Sequence, residues 1–110
     1  MKTEFEPREV SAEEVGEICR HGSCQILDVR GLESCQTERI EGAMCLPLDE
    51  LEEKAKLLDR DTLIVAYCSS PKCPASGMAE KALYEKGFCA VHYKGGIAGW
   101  KEAGLKTVCG

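Results

Sequence analysis

The sequence predicts a small three-layer α/β domain, with a central, mainly parallel sheet and helices on both faces. Short apolar runs alternate with helical segments along the whole chain, and the connections between them are short. The strongest run, Thr62 to Tyr67 (TLIVAY), is apolar on both faces, as a central parallel strand is. A length of 110 residues indicates one domain and suffices for a core without metal or disulfide support.

The first half of the chain predicts one long helix and two short strands. Ser11-Ala-Glu-Glu14 is a capping box, which begins a helix that runs to about Arg20 and stops at His21-Gly22. The elements expected next are a buried strand at 25–29 (QILDV), a loop with one helical turn at 31–38 and a short strand at 43–46 (AMCL).

The second half predicts the centre of the sheet. Leu51, Ala55 and Leu58 recur at helical spacing within a segment from Asp49 to Leu58. The elements expected after it are a turn at 59–61, the strand at 62–67, a loop at 68–75, a helix at 76–86 ended by Gly87, a strand at 89–93, a turn at Gly95-Gly96 and a helix to about Ala103.

Composition and charge exclude several function classes. The net charge of −5 argues against nucleic acid as a non-specific partner, because phosphate binding needs a basic face. Met1 to Pro7 has no apolar stretch typical of an export signal, and the longest apolar run, Leu63 to Cys68, is too short to span a bilayer. We therefore expect a cytoplasmic protein with no membrane partner.

The eight cysteines have two interpretations. An even count is compatible with a secreted disulfide framework. Against that, the chain has no evident export signal, and reducing compartments keep thiols free. Cys45 and Cys89 also lie within strand-like apolar runs, where cysteine commonly fills the core. The sequence therefore favours free thiols, most of them buried.

Cys68 is the candidate nucleophile. It ends the strongest strand, and ligands bind beyond the carboxyl ends of parallel strands. Amides of the loop and of the helix beginning near Ser76 would form an anion-binding site that favours the thiolate, and Lys72 adds a mobile cation. No histidine base is then needed. The alternative is that Cys68 is only a buried strand end. Cys73 shares the loop, so a Cys68–Cys73 disulfide is sterically possible.

Four segments in order resemble a rhodanese domain. They are ILDVR at 26–30, RIEGAMCLPL at 39–48, LIVAYC with its loop at 63–68, and the stretch from EKGF to HYKGGIAGWKEAGL at 85–105. The sequence is similar to the single-domain rhodanese-like, or thiosulfate sulfurtransferase, family from about Val10 to Leu105. The resemblance implies one domain over residues 1–110 with its core at about 10–105.

The resemblance also implies site residues. Cys68 matches the family's catalytic cysteine, and the substrate-binding loop maps onto Ser69, Ser70, Lys72, Cys73, Ala75 and Ser76. Asp28 and Arg30 match supporting positions, which we interpret as an ion pair bracing the site or, equally, as a generic strand-end salt bridge. Trp100 with its two glycines is expected to be structural.

The loop departs from the common family pattern. It is about two residues longer, Ala75 stands where a cation is usual, and the residue five after Cys68 is Cys73. This Cys-x4-Cys loop is similar to a minority subgroup. The missing arginine weakens the case for thiosulfate, because a fixed guanidinium suits a sulfonate. Arg39 can supply charge at the mouth or lie solvated on the surface.

We therefore expect a sulfurtransferase that moves sulfane sulfur from thiosulfate, a persulfide or a polysulfide to a thiol, a protein cysteine or cyanide, without a cofactor. A non-catalytic or redox-sensing interaction module that uses a Cys68–Cys73 disulfide is the alternative. Phosphatase chemistry is disfavoured because Ala75 cannot hold phosphate oxygens. A metal site is disfavoured because the cysteines lack paired Cys-x2-Cys spacing.

Overall fold

A computed structural model describes residues 9–21, 24–58, 61–68, 74–93 and 95–109 of the chain. The elements in chain order are β1 Glu9–Val10, α1 Ala12–His21, β2 Cys24–Asp28, α2 Leu32–Thr37, β3 Glu38–Ile40, β4 Ala43–Cys45, α3 Leu51–Lys54 between two short 3₁₀ turns, β5 Leu63–Tyr67, α4 Ala75–Glu85, β6 Ala90–Tyr93, α5 Gly96–Glu102 and β7 Thr107–Cys109. The predicted α/β fold is confirmed.

The main sheet has five strands in the order β1-β6-β5-β2-β4, and all its pairings are parallel. Strand β5 lies at its centre, as its apolar sequence predicts, and Ile64 to Tyr67 are buried. One core layer packs the sheet against α3 and α4, and the other packs it against α1 and α5. The covered faces leave the carboxyl ends of the strands as the place where a ligand can reach the sheet.

Helix ends follow the expected signals. The Ser11 hydroxyl accepts a hydrogen bond from the Glu14 amide at 3.1 Å, and the Glu14 carboxylate accepts one from the Ser11 amide at 3.1 Å. Helix α4 ends before Gly87, whose φ of 96° lies in the left-handed region that favours glycine. The expected capping box and the expected end of α4 are therefore confirmed.

A second, two-stranded antiparallel sheet was not predicted. It pairs β3 with β7, in the register Glu38 with Cys109, Arg39 with Val108 and Ile40 with Thr107. The sequence interpretation placed no strand at 38–40 and no element after the last helix, which it ended near Ala103. Three-residue strands are too short to show a period of two, and their pairing depends on residues far apart in the chain.

The expectation of free thiols is wrong for several cysteines. A disulfide joins Cys35 of α2 to Cys45 of β4, and Cys24 and Cys68 are also disulfide-bonded. The Cα atoms of Cys35 and Cys45 lie 5.8 Å apart, because α2 folds back over the edge strand β4, and this separation is typical of a bridge. Among the described residues, Cys89 and Cys109 are free.

Candidate active site

Cys68 lies at the carboxyl edge of the sheet, directly after the central strand. Its side chain is on the same face as α4 and is only 4% exposed. The Cys68 carbonyl accepts a hydrogen bond from the Ile97 amide of α5 at 3.3 Å. On the other side, the Tyr67 carbonyl accepts one from the Val29 amide at 3.1 Å. The backbone that carries Cys68 is thus held by β2 and by α5.

The ends of the neighbouring strands surround this position. Cys68 packs in an apolar cluster with Val29 and Leu46, against which Leu48 and Ala75 also lie. An open pocket of about 370 Å³ is lined by Val29, Arg30, Gly31, Pro47, Leu48 and Asp49. Val29 and Leu48 belong to both, so the pocket adjoins the cluster that contains the Cys68 side chain. The site is therefore mainly apolar, with a carboxylate and a guanidinium at its edge.

Asp28 and Arg30 form a buried ion pair behind the site. The Asp28 side chain is fully buried, and that of Arg30 is 11% exposed. The guanidinium donates from Nε to Oδ1 at 2.9 Å and to Oδ2 at 3.0 Å, and from Nη2 to Oδ2 at 2.6 Å. Arg30 Nη2 also contacts the carbonyl of Glu38 and, at 3.4 Å, that of Ser34. The pair that the sequence suggested is present, and its bidentate geometry fixes the guanidinium plane.

Tyr67 is the third member of this buried group, and the sequence interpretation did not include it. Its hydroxyl donates to Asp28 Oδ2 at 2.7 Å and accepts from the Ile40 amide at 3.0 Å. The Arg30 guanidinium lies over the Tyr67 ring, 5.8 Å from its centre. The one available signal was a tyrosine inside an otherwise apolar buried strand, because a buried phenol needs a hydrogen-bond partner.

The protonation states of this group are set by its surroundings. The hydrogen bonds to Asp28 raise the pKa of Arg30 above its ordinary value, against the opposing effect of burial. Burial raises the pKa of Tyr67 well above its ordinary value, and the hydrogen bond to Asp28 acts in the same direction. At neutral pH Arg30 is therefore a cation and the Tyr67 hydroxyl keeps its proton, so both act as donors to Asp28.

The predicted loop residues are only partly described. Ser69, Ser70, Lys72 and Cys73 lie outside the described residues. Ala75 is the first residue of α4, one position earlier than expected, and Ser76 follows it with a 2% exposed surface. The first amides of an α-helix have no partner inside the helix, so this end of α4 presents donors near the end of β5. Any role of these residues in binding a substrate stays a prediction.

Arg39 does not extend away from the protein as a solvated side chain. Its Nη1 lies 3.5 Å from the Cys35 carbonyl, and the residue is partly buried. In the described part of the chain, no cluster of three or more histidine, cysteine or acidic side chains could hold a metal ion. No helix there is long and apolar enough to cross a membrane.

Comparison with known proteins gives a consistent answer. The family model described as the rhodanese-like domain matches residues 11–103. The thiosulfate sulfurtransferase PspE of Escherichia coli strain K12 is 33% identical over 73 residues, which cover 64% of this chain and 68% of that protein. The HTH-type transcriptional regulator Rv0324 of Mycobacterium tuberculosis is 32% identical over 84 residues, and these span 76% of this chain but only 37% of the regulator.

A solved structure agrees with the sequence comparisons. The rhodanese-related protein of Thermoplasma volcanium superposes with a TM-score of 0.81 and is 30% identical. The match covers 92% of this chain and 97% of that one, so the whole α/β architecture is shared.

Proposed function

Because the chain belongs to the rhodanese-like domain family, we propose that it is a sulfurtransferase that carries sulfur as a persulfide on Cys68. The family and its thiosulfate sulfurtransferase relative support this activity at the family level. The observation that carries the assignment to one residue is the position of Cys68, directly after the central strand β5 and beside the first turn of α4.

The reaction proceeds in two half-reactions. The Cys68 thiolate attacks the outer sulfur of the donor, forming a new S–S bond while the donor's own bond breaks and its remainder leaves with the electron pair. An acceptor thiolate, a protein cysteine or cyanide then attacks the terminal sulfur and restores the Cys68 thiolate. Cys68 is disulfide-bonded in this structure, so a thiol must first reduce that bond. A cytoplasmic location, which stays a prediction, would provide such thiols.

The proposed donor is a persulfide or polysulfide in preference to thiosulfate. Ala75 begins α4 with a methyl side chain where an arginine would hold the leaving sulfonate. Loss of a fixed charge-assisted contact costs about 1.5–3 kcal/mol, or about one to two decades in rate. Ala75→Arg should raise the rate with thiosulfate alone, and an unchanged ratio of the rates with the two donors would contradict the argument.

Lys72→Ala should weaken thiosulfate binding about tenfold at low salt.

Intact-mass measurement tests the function directly. The reduced, desalted protein is mixed with thiosulfate, which reacts slowly with unactivated thiols, and wild type should gain the mass of one sulfur atom. Cys68→Ser should gain none, and Cys89→Ser, which removes a thiol that is free in this structure, should behave as wild type. If Cys68→Ser gains sulfur as readily as wild type, the assignment is wrong.

A second candidate function is redox sensing through Cys68, and one observation favours it: Cys68 is disulfide-bonded. The similarity to part of a transcriptional regulator also fits a sensing or partner-binding module. The predicted partner is Cys73, in a Cys-x4-Cys loop. Peptide mapping after peroxide treatment tests this pairing, and a bond from Cys68 to any other cysteine would contradict it.

A further inference from the structure

We propose that the Tyr67 hydroxyl is a positioning group for the reaction at Cys68. Through Asp28 and Ile40 it ties the central strand to the second sheet, and it thereby fixes the position of the end of β5, which carries Cys68. This inference rests on the proposed sulfurtransferase function and deepens it.

Tyr67 is anchored through both its backbone and its side chain. Its carbonyl accepts a hydrogen bond from the Val29 amide. Its hydroxyl donates a hydrogen bond to Asp28 Oδ2 at 2.7 Å and accepts one from the Ile40 amide at 3.0 Å. Ile40 belongs to β3, which pairs with β7, so one hydroxyl joins β5, β2 and the second sheet.

The location of Tyr67 suits a positioning role better than a role in contact with the donor. The Tyr67 side chain lies in the core layer on the face of α1 and α5, whereas Cys68 lies in the layer on the face of α4. The phenol can therefore hold the peptide that leads into Cys68 without occupying the space in which a donor binds. Beyond Cys68 the Ile97 amide provides the next backbone contact, so the residue is held from both sides.

Phenylalanine at this position separates the contribution of the ring from that of the hydroxyl. The ring alone fills the fully buried space at this position, and phenylalanine would fill it equally. Removing the hydroxyl takes one partner from Asp28 and leaves the Ile40 amide without its acceptor, while the ring stays in place. We therefore expect the end of β5, and Cys68 with it, to be held less precisely in position. A displacement of about 1 Å at a reacting group can cost about a hundredfold in rate.

Tyr67→Phe is the variant that tests this, and Tyr93→Phe is its matched control. Tyr93 is the register partner of Tyr67 on β6, faces the same core layer and is also buried. Its hydroxyl packs on Gly95 and Gly99 rather than on Asp28. The readout is the single-turnover rate of sulfur loading onto reduced Cys68, measured against polysulfide concentration.

For Tyr67→Phe we expect the saturating rate to fall about ten- to a hundredfold. The half-saturating polysulfide concentration should stay unchanged, because no donor contact is lost. Tyr93→Phe should load at the wild-type rate. A saturating rate within twofold of wild type in Tyr67→Phe, or an equal loss in Tyr93→Phe, would overturn the inference. If wild type itself loads no sulfur, the proposed function is wrong, and so is the inference that rests on it. This outcome differs from failure of the inference alone, in which wild type does load sulfur.

A second variant covers the case in which Tyr67→Phe does not fold. Replacing the Ile40 amide with an ester, by ligation of synthetic segments, removes the donor to the Tyr67 hydroxyl and leaves every side chain in place. We expect a several-fold fall in the saturating loading rate with the same half-saturation. An unchanged rate would overturn the positioning role.

Discussion

Replacement of Arg30 by methionine should cost far more stability than the same change elsewhere on the chain. Methionine keeps an apolar stem but leaves the fully buried Asp28 carboxylate with the Tyr67 hydroxyl and the Arg30 amide as its hydrogen-bond donors. Removal of one partner of a buried pair costs about 3–5 kcal/mol, because the other charge stays buried. Because the Tyr67 hydroxyl and the backbone amide of residue 30 still donate to the carboxylate, the lower end of this range, about 3 kcal/mol, is expected.

The double variant Asp28→Asn with Arg30→Met separates the pair from its parts. It removes the carboxylate charge together with its guanidinium, so its loss of unfolding free energy should be smaller than the sum of the single losses by about 2 kcal/mol. Arg20→Met is the matched control. Arg20 pairs with Glu17 at 2.5 Å, but their side chains are 66% and 59% exposed, and such a pair contributes about 0.2–1 kcal/mol.

Urea unfolding at pH 7, followed through the fluorescence of Trp100, measures wild type, the two single variants Asp28→Asn and Arg30→Met, the double variant and Arg20→Met. Trp100 is the only tryptophan of the chain and is 7% exposed, so its emission should report loss of the core. Equal losses in Arg30→Met and Arg20→Met, or strict additivity in the double variant, would show that Asp28 and Arg30 do not stabilise the fold as a unit.

Further predictions concern other parts of the fold. Without reductant, the paired change Cys35→Ser and Cys45→Ser should lower the free energy of unfolding by about 2–3 kcal/mol. Reductant should lower the free energy of unfolding of wild type toward that of the variant. Equal stability of the two proteins without reductant would contradict the bridge. Ser11→Ala should cost about 1 kcal/mol, whereas Ser34→Ala, on an exposed helix face, should cost little in the same urea titration. Gly95→Ala should cost about 1–3 kcal/mol, because its Cβ would lie 2.6 Å from the Tyr93 hydroxyl, while Gly16→Ala, with open space, should be neutral or stabilising. Because its pKa is raised, Tyr67 holds its proton more tightly in the folded protein than in the unfolded chain. The stability of wild type relative to Tyr67→Phe should therefore fall as pH rises above about 10. A difference in stability that stays constant with pH would refute this.

The sequence predicted the parts of the molecule that depend on local patterns. The apolar run that became β5, the capping box at Ser11 and the position of Cys68 at the end of the central strand all follow from periodicity and from the rule for parallel sheets. Asp28 and Arg30 were identified through a short motif, since they lie only two positions apart.

The contacts that complete the site come from residues far apart in the chain. Tyr67 meets Asp28 across 39 positions and Ile40 across 27, and no local pattern indicates either contact. The bridge between Cys35 and Cys45 escaped prediction for a related reason: each cysteine by itself resembles a small apolar residue of its own element. What the sequence lacked was therefore the tertiary placement of α2 and β3 over the end of the sheet.

The shared carboxylate of Asp28 has a consequence for how this sequence can change over time. Arg30 and Tyr67 both donate to it, so loss of either donor alone leaves an undercompensated buried charge, and loss of Asp28 alone leaves a buried cation. Substitution of one of these three residues by itself therefore gives a destabilised protein, whereas joint replacement of all three by apolar residues does not. Natural variants should therefore keep the residues at positions 28, 30 and 67 together or exchange them together. A chimera can take its first 45 residues from one relative and the rest from another. It should fold well only when residues 28 and 30 of the first relative are compatible with residue 67 of the second.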